Sequence, residues 1–132
     1  AISLSPALDV AHEWLVRTLE RSAETERARA ALARWSQQSA NPGVRARAAL
    51  RAAEHAMAAG EELEARERLA QATEHDPELG EAWVLACELA ARGQSEGAVR
   101  SLCERALSAI EPGVHSARIA LRLARLLEVA GD

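Results

Sequence analysis

The chain has no lysine, no phenylalanine and no tyrosine, and its aromatic content is three tryptophans. Without lysine there is no group for a Schiff base and none for the lysine of a phosphate-binding P-loop. Scarcity of aromatic and β-branched residues argues against a β-sandwich or barrel, whose pleated faces call for them. Two cysteines in 132 residues do not make a disulfide framework. No apolar run reaches the length of a membrane span, and no signal peptide opens the sequence. No CxxC, GxGxxG or HExxH pattern occurs; His12-Glu13 does not extend to the last of these. No Ser/His/Asp set stands out either, so the sequence predicts no enzyme, no metal and no cofactor. The four histidines, 12, 55, 75 and 115, read as scattered surface residues.

What is present is alanine above all, with leucine next in weight. Both favour helix, and alanine lets helix backbones approach closely. All 16 basic residues are arginine against 20 acidic ones, giving a net charge of −4 with the signs interspersed. That distribution offers no broad basic surface to nucleic acid. The Ala- and Arg-rich, Lys-free composition suggests a GC-rich, bacterial genome, and with it a cytoplasmic location. A start at Ala1 suggests a piece of a longer protein.

Seven amphipathic segments follow one another. The first opens at Ser5-Pro6, a capping hydroxyl followed by a helix-starting proline, and carries Leu8, Ala11, Leu15, Val16 and Leu19 at helical spacing. The others run over about 24–38, 44–59, 61–75, 80–92, 95–110 and 114–130. Pairs Glu62/Arg66, Glu64/Arg68, Glu88/Arg92 and Glu96/Arg100 have the i, i+4 spacing that steadies a solvated helix face. The breaks alternate in kind. Gly60-Glu61, Gly93-Gln94 and Gly131-Asp132 close turns inside helix pairs, whereas Pro42, Pro77 and Pro112 separate pairs at equal intervals. Residues 46–61 align without a gap on 117–132, with Ala46, Arg47, Leu50, Arg51 and Gly60 matched by Ala117, Arg118, Leu121, Arg122 and Gly131. A beat of about 34 residues with two helices per unit is the mark of a helical solenoid.

On these residues the chain resembles the tetratricopeptide repeat family. With Ala46 as position 1, residues 46–79 place Ala53 at position 8, Ala65 at 20, Ala72 at 27 and Pro77 at 32, although Ala49 replaces the large residue at 4. The next unit, 80–112, has Trp83 at 4, Cys87 at 8 and Ala106 at 27. The first, read over about 11–44, has Trp14 at 4 and Pro42 at 32 but Thr18 at 8. The resemblance implies a single all-α domain over 1–132, a right-handed superhelical stack of antiparallel helix pairs, about seven helices in all. Its units would be 5–44, 45–79 and 80–112, closed by a terminal helix over 114–130. It also implies that Trp14 and Trp83 pack in the core, and Trp35, which has no slot, lies partly exposed. Cys87 and Cys103 are expected to be buried thiols.

In that family the first helix of each pair lines a concave binding surface. Carried onto this chain, the inner positions are His12, Leu15, Val16 and Leu19; Arg47, Leu50, Arg51, Glu54 and Met57; Glu81, Val84, Leu85 and Glu88; and Arg118, Leu121, Arg122 and Arg125. The candidate binding residues are Arg47, Arg51, Glu54, Glu88, Arg118, Arg122 and Arg125. Arg118, Arg122 and Arg125 share one helix stripe, and guanidinium forks suit carboxylates. The family's carboxylate clamp for chaperone tails needs lysine and asparagine where Leu15 and Leu19 stand, so that ligand is not expected. The implied role is a scaffold for a protein or peptide segment, an acidic one among the candidates, with no nucleic-acid or membrane partner. The alternative is a regulatory or sensory segment that binds a small molecule and controls a neighbouring effector. The wide apolar arc of the seventh helix is expected to be covered, by continuation of the repeat or by a second copy in a homodimer.

Overall fold

The computed structural model describes residues 5–129. Among them are seven helices and no strand: α1 (Ser5–Arg21), α2 (Thr25–Gln38), α3 (Pro42–Ala58), α4 (Glu62–His75), α5 (Gly80–Gly93), α6 (Glu96–Ala109) and α7 (Val114–Val129). The Gly131-Asp132 turn lies outside the described residues, as do the side chains that would form the Ser5-Pro6 cap. The chain divides at Asp76–Pro77 into two compact units, α1–α4 and α5–α7. Within each unit every helix packs on its sequence neighbour, and α5 also touches α7.

In the first unit, α1 and α2 close on Val16, Leu19, Leu32 and Trp35, with Ala48 and Ala52 of α3 beneath. The α3–α4 contact is built almost wholly from small residues. Ala46, Ala49, Ala53, Ala56, Ala65 and Ala72 are fully buried around Leu69. With a single methyl on each side, the two backbones come close and the alanine-rich layer excludes water without large side chains. The second unit closes on Trp83, Cys87, Ala90, Val99, Cys103, Ala106 and Ile119.

Helix ends explain the boundaries. Pro42, read from sequence as a separator of helix pairs, sits within a helix start, Asn41-Pro42-Gly43. The Asn41 side chain accepts from the amides of Gly43 (2.9 Å) and Val44 (3.3 Å), and Pro42 needs no amide partner at the first position. After α3, Gly60 takes φ +79°, the Glu61 amide donates to the Ala56 carbonyl (2.8 Å) and the Gly60 amide to Met57 (3.1 Å), a Schellman closure. The same closure ends α1, but there Ala23 occupies the left-handed position at φ 60°, with Glu24 donating to Leu19 (3.0 Å). Gly93, expected to turn as Gly60 does, instead belongs to α5. An extended Gln94 follows it, and the Gln94 amide donates to Ala90 (2.8 Å).

Three aromatic placements depart from expectation. Trp14 is 65% exposed, while Trp35 is 7% exposed and donates its indole N–H to Asp9 (2.8 Å). His12, read as a surface histidine, is buried, stacked at 6.0 Å on Trp35 and hydrogen-bonded to Gln38 (3.0 Å). The physical reason is register. The buried set of α1 is His12, Val16 and Leu19, spaced along that helix as Trp83, Cys87 and Ala90 are along α5. His12, and not Trp14, therefore fills the large-residue slot, and Leu8, Ala11 and Leu15 turn outward with Trp14.

Candidate functional site

The seven candidate residues fall into two groups with different fates. Arg47, Arg51 and Glu54 lie on α3. Arg47 and Glu54 are exposed, but Arg51 is held inside the unit. Its Nη1 donates to the Glu13 carboxylate of α1 (3.0 Å) and its Nη2 to Glu20, further along the same helix (2.9 Å). His55, one turn along α3, reaches the other Glu20 oxygen at 2.7 Å. Glu13 is shared with Arg17 (2.9 Å). Burial pushes the Glu20 carboxyl up, but the His55 hydrogen bond and the Arg51 guanidinium outweigh it and hold it below the usual carboxylate value. These groups close α1 onto α3, so Arg51 is a clasp and not a free ligand-binding group.

Glu88, Arg118, Arg122 and Arg125 converge instead. With Val84 and Cys87 of α5 and Ile119, Leu121 and Leu126 of α7, they line one open groove of about 300 Å³ in the second unit. The floor is apolar: Val84, Cys87 and Ile119 are buried. The guanidiniums stand around it. Arg118 approaches Glu88 at 3.7 Å with most of its side chain in water, a weak pair. Among the described residues no carboxylate pairs with Arg122 or Arg125.

Two contacts fix the walls. Gly80, first residue of α5, lies against His115; a methyl group there would sit 2.8 Å from the His115 ring and Cβ. The α7 start is thus seated on α5 at a point only glycine allows. Trp83 donates its indole N–H to the Pro77 carbonyl (2.7 Å), and the Arg105 guanidinium lies 5.8 Å over its ring. Cys87 in the floor and Cys103 of α6 are free thiols, both buried. Burial, then the neighbouring Cys103, pushes the Cys87 thiol up to about 12, and burial raises Cys103 as well. Neither carries the thiolate that nucleophilic or redox chemistry requires.

Sequence reasoning placed the arginine stripe, Glu88, Leu121 and Val84 on one inner surface but did not find Cys87, Ile119 and Leu126 beside them. Ile119 lies on the buried side of α7, and only packing shows that it meets Val84 of α5 in one wall with Arg122. It also missed that α1 carries Leu8, Val10, Trp14 and Leu15 exposed. Trp14 and Trp35 line an open cavity of about 310 Å³ with Val10, Asp9, Glu13 and Arg17. Among the described residues no three His, Cys, Asp or Glu side chains converge on a metal-sized point, and no helix is long and apolar enough to cross a membrane. No protein-family model matches the chain, and no curated protein matches it.

Proposed function

We propose that the chain is a helical-repeat scaffold of tetratricopeptide type that binds an acidic peptide or protein segment in the α5–α7 groove. One observation carries this reading. Arg118, Arg122 and Arg125 stand around an apolar floor, and among the described residues their one ion pair with a carboxylate is the weak Arg118–Glu88 contact. A segment that alternates carboxylates with aliphatic side chains meets both requirements, since the forks take the carboxylates and Val84, Ile119 and Leu126 take the aliphatic groups. The groove is open, and about 300 Å³ is at the lower limit for an enclosed small-molecule site. It suits side chains of a longer ligand that runs on past both ends. Glu88 acts as a guard here, occupying Arg118 until a ligand carboxylate replaces it.

The test is a panel of labelled synthetic peptides, acidic-aliphatic, neutral-aliphatic and basic, measured by fluorescence anisotropy at low and high salt. The acidic-aliphatic peptides should bind, more weakly as salt rises. Arg122→Ala and Arg125→Ala should reduce binding by about tenfold each while the melting temperature holds. Equal binding of acidic and basic peptides, or arginine variants that bind as well as the parent, would defeat the proposal.

A further inference from the structure

Two outward stripes of this chain are charge-opposite copies of one pattern. On α7, Val114, Arg118, Leu121 and Arg125 follow one another at alternating steps of i+4 and i+3, and all four are exposed. On α4, Leu63, Glu67, Ala70 and Glu74 follow at the same steps, and all four are exposed. That spacing puts each set in a single line along its helix, the seam used when two helices pack side by side. Leu63, Val114 and Leu121 are three of the few large apolar side chains that stand in water, at 68%, 75% and 54% exposure. The exposed faces of the other second helices mix signs, Glu26 with Arg27 and Arg34 on α2, Glu104 with Arg105 on α6. The α4 and α7 stripes each carry one sign only.

We infer that the α7 stripe receives the α4 stripe of a second copy of this chain, the two helices parallel and in register. Leu63 then covers Val114, Glu67 meets Arg118, Ala70 covers Leu121 and Glu74 meets Arg125. The carboxylates and the guanidiniums are each at i and i+7, about 10.5 Å apart along their helices, so both pairs close at once. An antiparallel alignment sets each carboxylate against valine or leucine and leaves both arginines on apolar neighbours. None of the ion pairs among the described residues uses Glu67, Glu74 or Arg125, so those three give up no partner on docking. Arg118 exchanges its weak contact with Glu88. Each copy offers one α4 and one α7, so the contact is heterologous and builds chains or rings. This partner assignment rests on the reading of the α7 arginines as a carboxylate-receiving stripe.

Sedimentation velocity across a concentration series, at roughly 0.05 M and 0.5 M salt, tests it. The wild-type chain should gain mass with concentration and lose that gain at the higher salt. Glu67→Arg/Glu74→Arg and Arg118→Glu/Arg125→Glu should each weaken association by about tenfold or more. Mixing the two variants should restore it, because each then supplies the sign the other lacks; that recovery also shows both are folded. Glu88→Gln should strengthen association by freeing Arg118. A chain that stays monomeric overturns the inference, as does association that survives in both reversed variants or fails to return on mixing. Acidic-peptide binding by a monomeric chain would overturn self-recognition alone and leave the groove's ligand class standing.

Discussion

Arg51 and Arg122 are matched residues of the internal repeat, yet one should matter for stability and the other for binding. Arg51→Met keeps the aliphatic stem and removes the guanidinium. What is lost is one short contact to Glu20 and a forked one to Glu13, each among side chains about 30% exposed. A hydrogen bond to a buried charged group contributes about 1.5–3 kcal/mol, and an exposed ion pair about 0.2–1 kcal/mol. At this burial each is worth about 1 kcal/mol, so the substitution should cost about 2 kcal/mol. Glu13 keeps Arg17 and Glu20 keeps His55, which limits the loss. For a unit of this size, that is a fall in melting temperature of about 10 °C. Arg122→Met should move melting by no more than about 4 °C, since surface substitutions rarely exceed about 0.5 kcal/mol. Calorimetry of both variants, with a Glu20→Gln double-mutant cycle for Arg51, provides the measurement. The clasp itself should weaken as pH drops. A carboxyl held below its unfolded value of 4.5 contributes stability in full above that value and loses it as Glu20 takes a proton. If Arg51→Met melts with the wild type, or shows no coupling to Glu20, the clasp is not structural and the division between the two arginines fails.

The tryptophans give a second contrast: Trp35→Ala should cost about 3–5 kcal/mol, whereas exposed Trp14→Ala should change stability by less than about 1 kcal/mol, both read by urea denaturation. Cys87, with its thiol raised from 9.0 to about 12, contributes stability that is complete below pH 9 and lost as pH climbs toward 12. Cys87→Ala should flatten that alkaline arm in pH-dependent melting, and in the native wild type neither thiol should react with a disulfide reagent at neutral pH. Gly80→Ala should destabilise the second unit by about 1–3 kcal/mol despite alanine's better helix propensity, because the new methyl meets His115 at 2.8 Å. The double variant with His115→Ala should recover most of that loss; a stabilised Gly80→Ala would show that the contact gives way freely.

Much of the architecture was legible because it depends on local pattern. Helix number, most boundaries and the burial of Ala53, Ala65 and Ala72 follow from periodicity and from Gly and Pro punctuation. The failures share a cause, namely that a residue's type does not name its neighbour. Trp14 attracted the large-residue slot by its size, but a buried imidazole stacked on Trp35 fills it, and only the register of small and apolar residues around His12 carries that signal. Ala23 gives no hint of a left-handed turn, although the hydrogen bonds there are those that Gly60 makes openly. Asn41-Pro42-Gly43 has the composition of a loop, and it becomes a helix start because the asparagine side chain reaches two free amides.

The site follows from the same register. With His12 matched to Trp83, the α1 carboxylates Glu13 and Glu20 correspond to Val84 and Ala91 of α5. Arg51 and Arg122 are separated by that same interval along the chain. One repeat position therefore holds arginine twice, while the helix facing it supplies two carboxylates in the first unit and two aliphatic residues in the second. In the first, the guanidinium charge fastens α1 to α3. In the second, Val84 becomes part of an apolar wall and Arg122 makes no ion pair with a carboxylate among the described residues. Loss of two carboxylates from the facing helix, with no change in the arginine, is enough to turn a structural clasp into a groove with uncompensated positive charge. That difference is why the proposed binding surface lies on α5 and α7 and not on the matched face of α1 and α3, where Arg51 is already paired with Glu13 and Glu20.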